Sequence, residues 1–92
     1  MRYKPRKGIV AVEICGEYLL VPATQVRKYC KGTIHINETA YRIWNLLVKN
    51  YSEEDILNYF HNNYEIEDAE EAKQTIKVFI QKMTEQGYIE EA

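Results

Sequence analysis

Cys30, His35 and Glu38 lie within nine residues of one another: a thiol, an imidazole and a carboxylate. On paper these are a nucleophile, a base and the acid that orients it. Such catalysis requires a spatial constellation, and closeness in sequence does not supply one. The second cysteine, Cys15, and the second histidine, His61, extend the set without completing a motif. Neither cysteine sits in a CxxC or other zinc-like spacing, and the histidines are 26 residues apart. Four scattered glycines cannot build a phosphate loop. The acids Glu53, Glu54, Asp55, Asp68, Glu70 and Glu71 fall at helix starts, where carboxylates satisfy amides and complement the helix dipole. The residues therefore predict no catalytic group, no metal site and no cofactor.

The elements that would position any site are plainer. Ninety-two residues make one domain, 1–92, and an apolar fraction of 46% is enough for one core. Two cysteines do not make the disulfide framework of a small secreted domain. The chain shows no signal peptide and no apolar run of the ~20 residues needed to cross a bilayer. A reduced, cytoplasmic protein without membrane contact is the expectation.

Ile9–Ile14 and Glu17–Pro22 are β-branched and aromatic runs separated by Cys15-Gly16, a two-residue loop suited to a tight hairpin. A basic loop over residues 23–32 leads to a third strand, Gly32–Ile36, with Ile34 and Ile36 on one face. Residues 1–7 read as a flexible lead-in. From Asn37 the apolar period becomes helical. Ala40, Ile43, Trp44 and Leu47 form one stripe, which places the single tryptophan in the core. Asn37 is the predicted N-cap. Ser52 with Asp55 predicts a capping box for a second helix carrying Ile56, Leu57 and Phe60. Asp68, with Glu71 at the same offset, opens a third helix with Ala72, Ile76, Phe79, Ile80 and Met83 inside; Gly87 stops it. The fold class is α+β, a winged helix-turn-helix of three antiparallel strands followed by three helices.

Such a fold raises the question of DNA. Residues 1–36 carry a net charge of +5 and residues 37–92 a net of −7. The third helix would be the reader, but Glu65, Glu67, Asp68, Glu70 and Glu71 gather at its start and repel phosphate. The alternative is a winged-helix regulator whose phosphate contacts are Arg2, Lys4, Arg6, Lys7, Arg27, Lys28 and Lys31.

The edge of the sheet offers a different function. A last strand at Gly32–Ile36 leaves backbone donors and acceptors beside the third helix, where a peptide can add as another strand. Lys73, Lys77, Ile80 and Thr84 lie on one flank of that helix; Thr75, Val78, Lys82 and Gln86 lie on or behind the other. The sequence leaves open which flank faces the strand.

Ile36-Asn37-Glu38-Thr39-Ala40, followed by Ile43-Trp44, resembles the LNxTAxxIW signature of the PqqD-like family. Tyr51–Ile56 is similar to that family's second-helix entry. Residues 71–89, with Phe79, Ile80, Gly87, Tyr88 and Ile89, are similar to its FLxxLxxxGLI ending. The resemblance runs from about residue 8 to residue 90; Ile36 stands for Leu, and Tyr41 occupies a position that is often small. It implies a non-catalytic recognition element for ribosomally made peptides. Such an element binds the leader of a precursor peptide by strand addition and presents it to a modifying enzyme, often a radical S-adenosylmethionine protein. Carried over by position, the groove comprises Thr33, Ile34, His35 and Ile36 facing Lys73, Ile76, Lys77 and Ile80. The expected state is a monomer or weak homodimer.

Overall fold

The computed structural model describes residues 2–64 and 68–91. Strand β1 is Tyr3–Pro5, β2 is Ile9–Ile14, β3 is Glu17–Pro22 and β4 is Ile34–Ile36. Helices α1 (Glu38–Val48), α2 (Glu53–Asn63) and α3 (Ala69–Glu85) follow, and β5 (Ile89–Glu91) closes the chain. The three expected strands form an antiparallel sheet in the order β2-β3-β4. Cys15 and Gly16 both take positive φ, at 51° and 81°, as a two-residue turn with right-handed strand twist demands.

Two features go beyond what the sequence predicts. Residues 24–29 form a 3-10 helix within the basic loop. Tyr3–Pro5, expected in a flexible lead-in, instead pairs antiparallel with β5, with Lys4 opposite Glu90. Ion pairs from Lys4 and Arg6 to Glu90, at 3.6 and 3.2 Å, fasten this ribbon, and Arg6 also donates to the Gly87 carbonyl at 2.8 Å. The complementary charges stand at opposite ends of the chain, and no local rule pairs them.

The helix boundaries follow their caps. The Asn37 side chain accepts from the Ala40 amide at 2.8 Å. Ser52 and Asp55 exchange both bonds of the capping box, at 3.1 and 3.0 Å. Those contacts hold the Asp55 carboxyl below its ordinary range, first through the Ser52 amide and then through the Ser52 hydroxyl. Asp68 accepts from the amides of Glu70 and Glu71. Glu65 and Glu67, counted in the acidic run before α3, lie outside the described residues.

At its C-terminus α3 ends in a Schellman motif. The Tyr88 amide donates to Met83 at 2.9 Å and the Gly87 amide to Thr84 at 3.2 Å. Asn50 closes α1 the same way, with φ at 68° and the Tyr51 amide donating to Leu46. The core joins Ile9 and Leu20 of the sheet to Ile43, Trp44 and Leu47 of α1, Ile56 of α2, and Ile76, Ile80 and Met83 of α3, sealed by Tyr88 and Ile89. Trp44 is buried in it, as its place in the apolar stripe requires.

Candidate functional site

The Cys30 thiol, the His35 imidazole and the Glu38 carboxylate are not assembled into a triad. The Cys30 thiol donates to the Val26 carbonyl at 3.7 Å. Glu38 is held by Arg42 through two bonds of 3.0 and 3.2 Å, and accepts a long bond from the Tyr18 hydroxyl at 3.4 Å. His35 is exposed. Among the described residues no group of three or more His, Cys, Asp or Glu converges as metal ligands. No described helix is long and apolar enough to cross a membrane.

What the fold does present is an open strand edge. β4 pairs with β3 along one side only, in the register Tyr18 to Ile36, Leu19 to His35 and Leu20 to Ile34. Its other side bears alternate backbone N–H and C=O groups with no partner strand among the described residues. Ile34 and Ile36 turn inward against the core, while Thr33 and His35 are exposed.

Both ends of β4 are pinned. At the far end, Asn37 caps α1 directly after the strand, and the rings of Tyr18 and Tyr41 pack at 4.7 Å beside the Glu38–Arg42 pair. Burial of the Tyr18 phenol, and then the charges of Glu13 and Glu38, push its pKa up. At the near end the fully buried Tyr88 donates its hydroxyl to the Gly32 carbonyl at 2.6 Å. Burial, above all, raises the pKa of that phenol too. Gly87 lies against the backbone of Tyr29 and Cys30. The end of α3 therefore abuts the segment that leads into β4.

The two flanks of α3 are distinguishable in the fold. Lys73 and Ile76 line a cleft with Glu53, Glu54, Leu57 and Asn58 of α2. Lys77 and Ile80 line another with Tyr3, Glu53 and Glu91. This flank faces α2 and the β1–β5 ribbon. Ile76 and Ile80 are only 3% and 2% exposed, so they support the helix from within the core. Of the eight residues carried over from the family resemblance, the four isoleucines join one cluster; Lys73 and Lys77 point to the α2 and ribbon side. On the opposite flank Thr75, Val78 and Phe79 line a shallow apolar depression with Glu71 and Gln74. Val78 is 47% exposed. Its position outside the 3.6-residue core stripe is the sequence signal for this surface.

Four of the seven basic residues considered for phosphate have partners within the fold. Arg2 donates to the Asn50 carbonyl, Lys4 and Arg6 pair with Glu90, and Arg6 and Lys28 stack on Tyr29 at 4.5 and 5.1 Å.

Two solved structures share this architecture. One, described as lasso peptide synthetase B1 complexed with the leader peptide, superposes with a TM-score of 0.77 at 18% identity, over 98% of this chain and 99% of that one. The other, TbiB1 in complex with the TbiA(beta) leader peptide, gives a TM-score of 0.75 at 18% identity, over 95% of this chain and 94% of that one. No curated protein sequence matches significantly. The family model for coenzyme PQQ synthesis protein D matches residues 18–89, from the start of the β3 ladder to β5, and the chain belongs to that family.

Proposed function

We propose that this protein is a non-catalytic recognition element that binds the leader segment of a ribosomally made precursor peptide and presents it to a modifying enzyme in the cytoplasm. The observation that carries the reading is the edge of β4, which has no partner strand among the described residues. Family membership and the leader peptides named with both structural neighbours support it.

The peptide adds to the sheet as a strand outside β4, along Thr33–Ile36. Each backbone hydrogen bond contributes about 0.5–1.5 kcal/mol net, so a strand this short holds its ligand weakly through backbone alone. Side chains of the peptide must supply the rest. Their wall is the flank of α3 that carries Thr75, Val78, Phe79 and Lys82, in place of Lys73 and Lys77. The choice follows from the clefts that Lys73 and Lys77 share with α2 and with the β1–β5 ribbon, which turn that flank toward those elements. An apolar side chain of the leader rests on Val78 and Phe79, and Lys82 favours an acidic neighbour.

Nucleic acid fits less well, because Arg2, Lys4 and Arg6 are consumed in holding the β1–β5 ribbon and the end of α1. The test is a polarisation titration of a labelled leader peptide from an adjacent precursor gene. The double variant Val78→Glu with Lys82→Glu should weaken binding at least about tenfold, equivalent to 1.4 kcal/mol. The matched variant Lys73→Glu with Lys77→Glu should stay within about twofold. The reverse ranking sinks the assigned flank, and absence of binding to the unaltered protein sinks the function.

A further inference from the structure

The sheet has a second open edge, and its sequence is self-complementary. β2 borders β3 on one side only. Along its outer side, among the described residues, only the Ile9 amide has a further backbone partner, the Arg6 carbonyl at 3.2 Å. The strand Ile9-Val10-Ala11-Val12-Glu13-Ile14 is six residues long and carries no proline, no lysine and no bulge; Glu13 is its one charged residue. Val10 and Ile14 are each 55% exposed. With Val12 they share the outer face of the sheet, opposite Val21, Leu19 and Glu17 of β3.

The pattern is symmetric about Val12. An antiparallel copy set with Val12 against Val12 places Val10 against Ile14 on the same face, twice. On the other face Ala11 meets Glu13, twice, so no two like charges stand opposite. The charges at the ends complement each other as well. Lys7 precedes the strand, while Glu13 and Glu17 mark its far end. None of the three forms an ion pair among the described residues. Antiparallel pairing brings the basic end of one strand to the acidic end of the other, whereas parallel pairing sets like against like.

We propose that β2 is a homodimer interface, joining two copies about a twofold axis at Val12 into one six-stranded sheet of order β4-β3-β2-β2-β3-β4. The contact is closed, so it ends at two copies. It leaves a β4 edge free at each end, and the dimer carries two peptide sites far apart. The interface does not depend on the peptide reading, since β2 and β4 are opposite edges.

The unaltered protein tests it first. Light scattering or sedimentation should show a dimer forming at tens to hundreds of micromolar, and a monomer throughout that range overturns the proposal. The register is tested in a Cys15→Ser, Cys30→Ser background. Val12→Cys should cross-link to itself on mild oxidation. Val10→Cys alone should not, because its two copies lie about 14 Å apart at ~3.4 Å per residue. A mixture of Val10→Cys and Ile14→Cys should cross-link. Equal self-linking by Val10→Cys overturns the register. Dissociation of the dimer by bound leader peptide would place the interface at β4 and overturn the assignment to β2.

Discussion

Replacing Gly87 by alanine probes the joint on which the β4 edge depends. Gly87 has φ of +88°, and a Cβ there would overlap the carbonyl oxygen of Tyr29 and stand 2.7 Å from its carbon. Both neighbours are backbone, so no side chain can rotate away. Two costs add. A left-handed residue with a Cβ loses about 1–2 kcal/mol, partly offset by about 0.4–1 kcal/mol from a stiffer unfolded chain. Displacing packed backbone costs about 1–3 kcal/mol more. The sum is about 1–5 kcal/mol, against a total stability of roughly 5–14 kcal/mol for a domain of this length. Gly16→Ala supplies the control, because Gly16 has φ of +81° with nothing within 4 Å of an added Cβ. It carries the conformational cost alone. Urea melts of the two variants should therefore differ by about 1–3 kcal/mol, with Gly87→Ala the less stable. At about 4–8 °C per kcal/mol, the thermal midpoints should separate by several degrees at least. Variants matching within ~0.5 kcal/mol would refute the close approach of α3 to Tyr29 and, with it, the support given to the entry of β4.

Tyr88→Phe removes the hydroxyl that donates to Gly32 and should cost about 1 kcal/mol, while weakening leader binding because β4 loses its near anchor; melts and peptide titration check both effects. Cys15→Asn, in a turn position with φ of 51°, should stabilise by up to about 1 kcal/mol, since asparagine accepts that conformation with less strain; a urea melt reads the gain. The depressed pKa of Asp55 contributes stability that is present above the ordinary carboxylate range and is lost as pH falls through the lowered value. Asp55→Asn should therefore flatten the acid side of the stability profile and leave its neutral-to-basic side unchanged in shape, as thermal melts across pH 2–7 would read.

The capping residues make the helices legible in the sequence, because Asn37, Ser52, Asp55 and Asp68 act through bonds within three residues of themselves. Trp44 is legible for a similar reason: its neighbours in the stripe are one turn away. The β1–β5 ribbon is not, since Tyr3 and Glu91 meet only after the whole domain has closed. The site divides along the same line. Alternation locates β4 and its exposed Thr33 and His35. The choice between the flanks of α3 depends on which side α2 and the ribbon occupy, and the period of a single helix carries no such information. Gly87 is legible as a helix stop, whereas its contact with Tyr29 requires the third dimension.

The proposed extension of the sheet at β4 by a leader peptide, against the Thr75–Lys82 flank of α3, is open to direct test. Amide spectra of isotope-labelled protein, recorded while the leader peptide is added, provide it. Shifts should concentrate at Thr33–Ile36 and at Thr75, Val78, Phe79 and Lys82, with slowed hydrogen exchange along β4. Shifts confined to β2, or to the cleft around Lys73 and Glu53, would contradict strand addition at this edge.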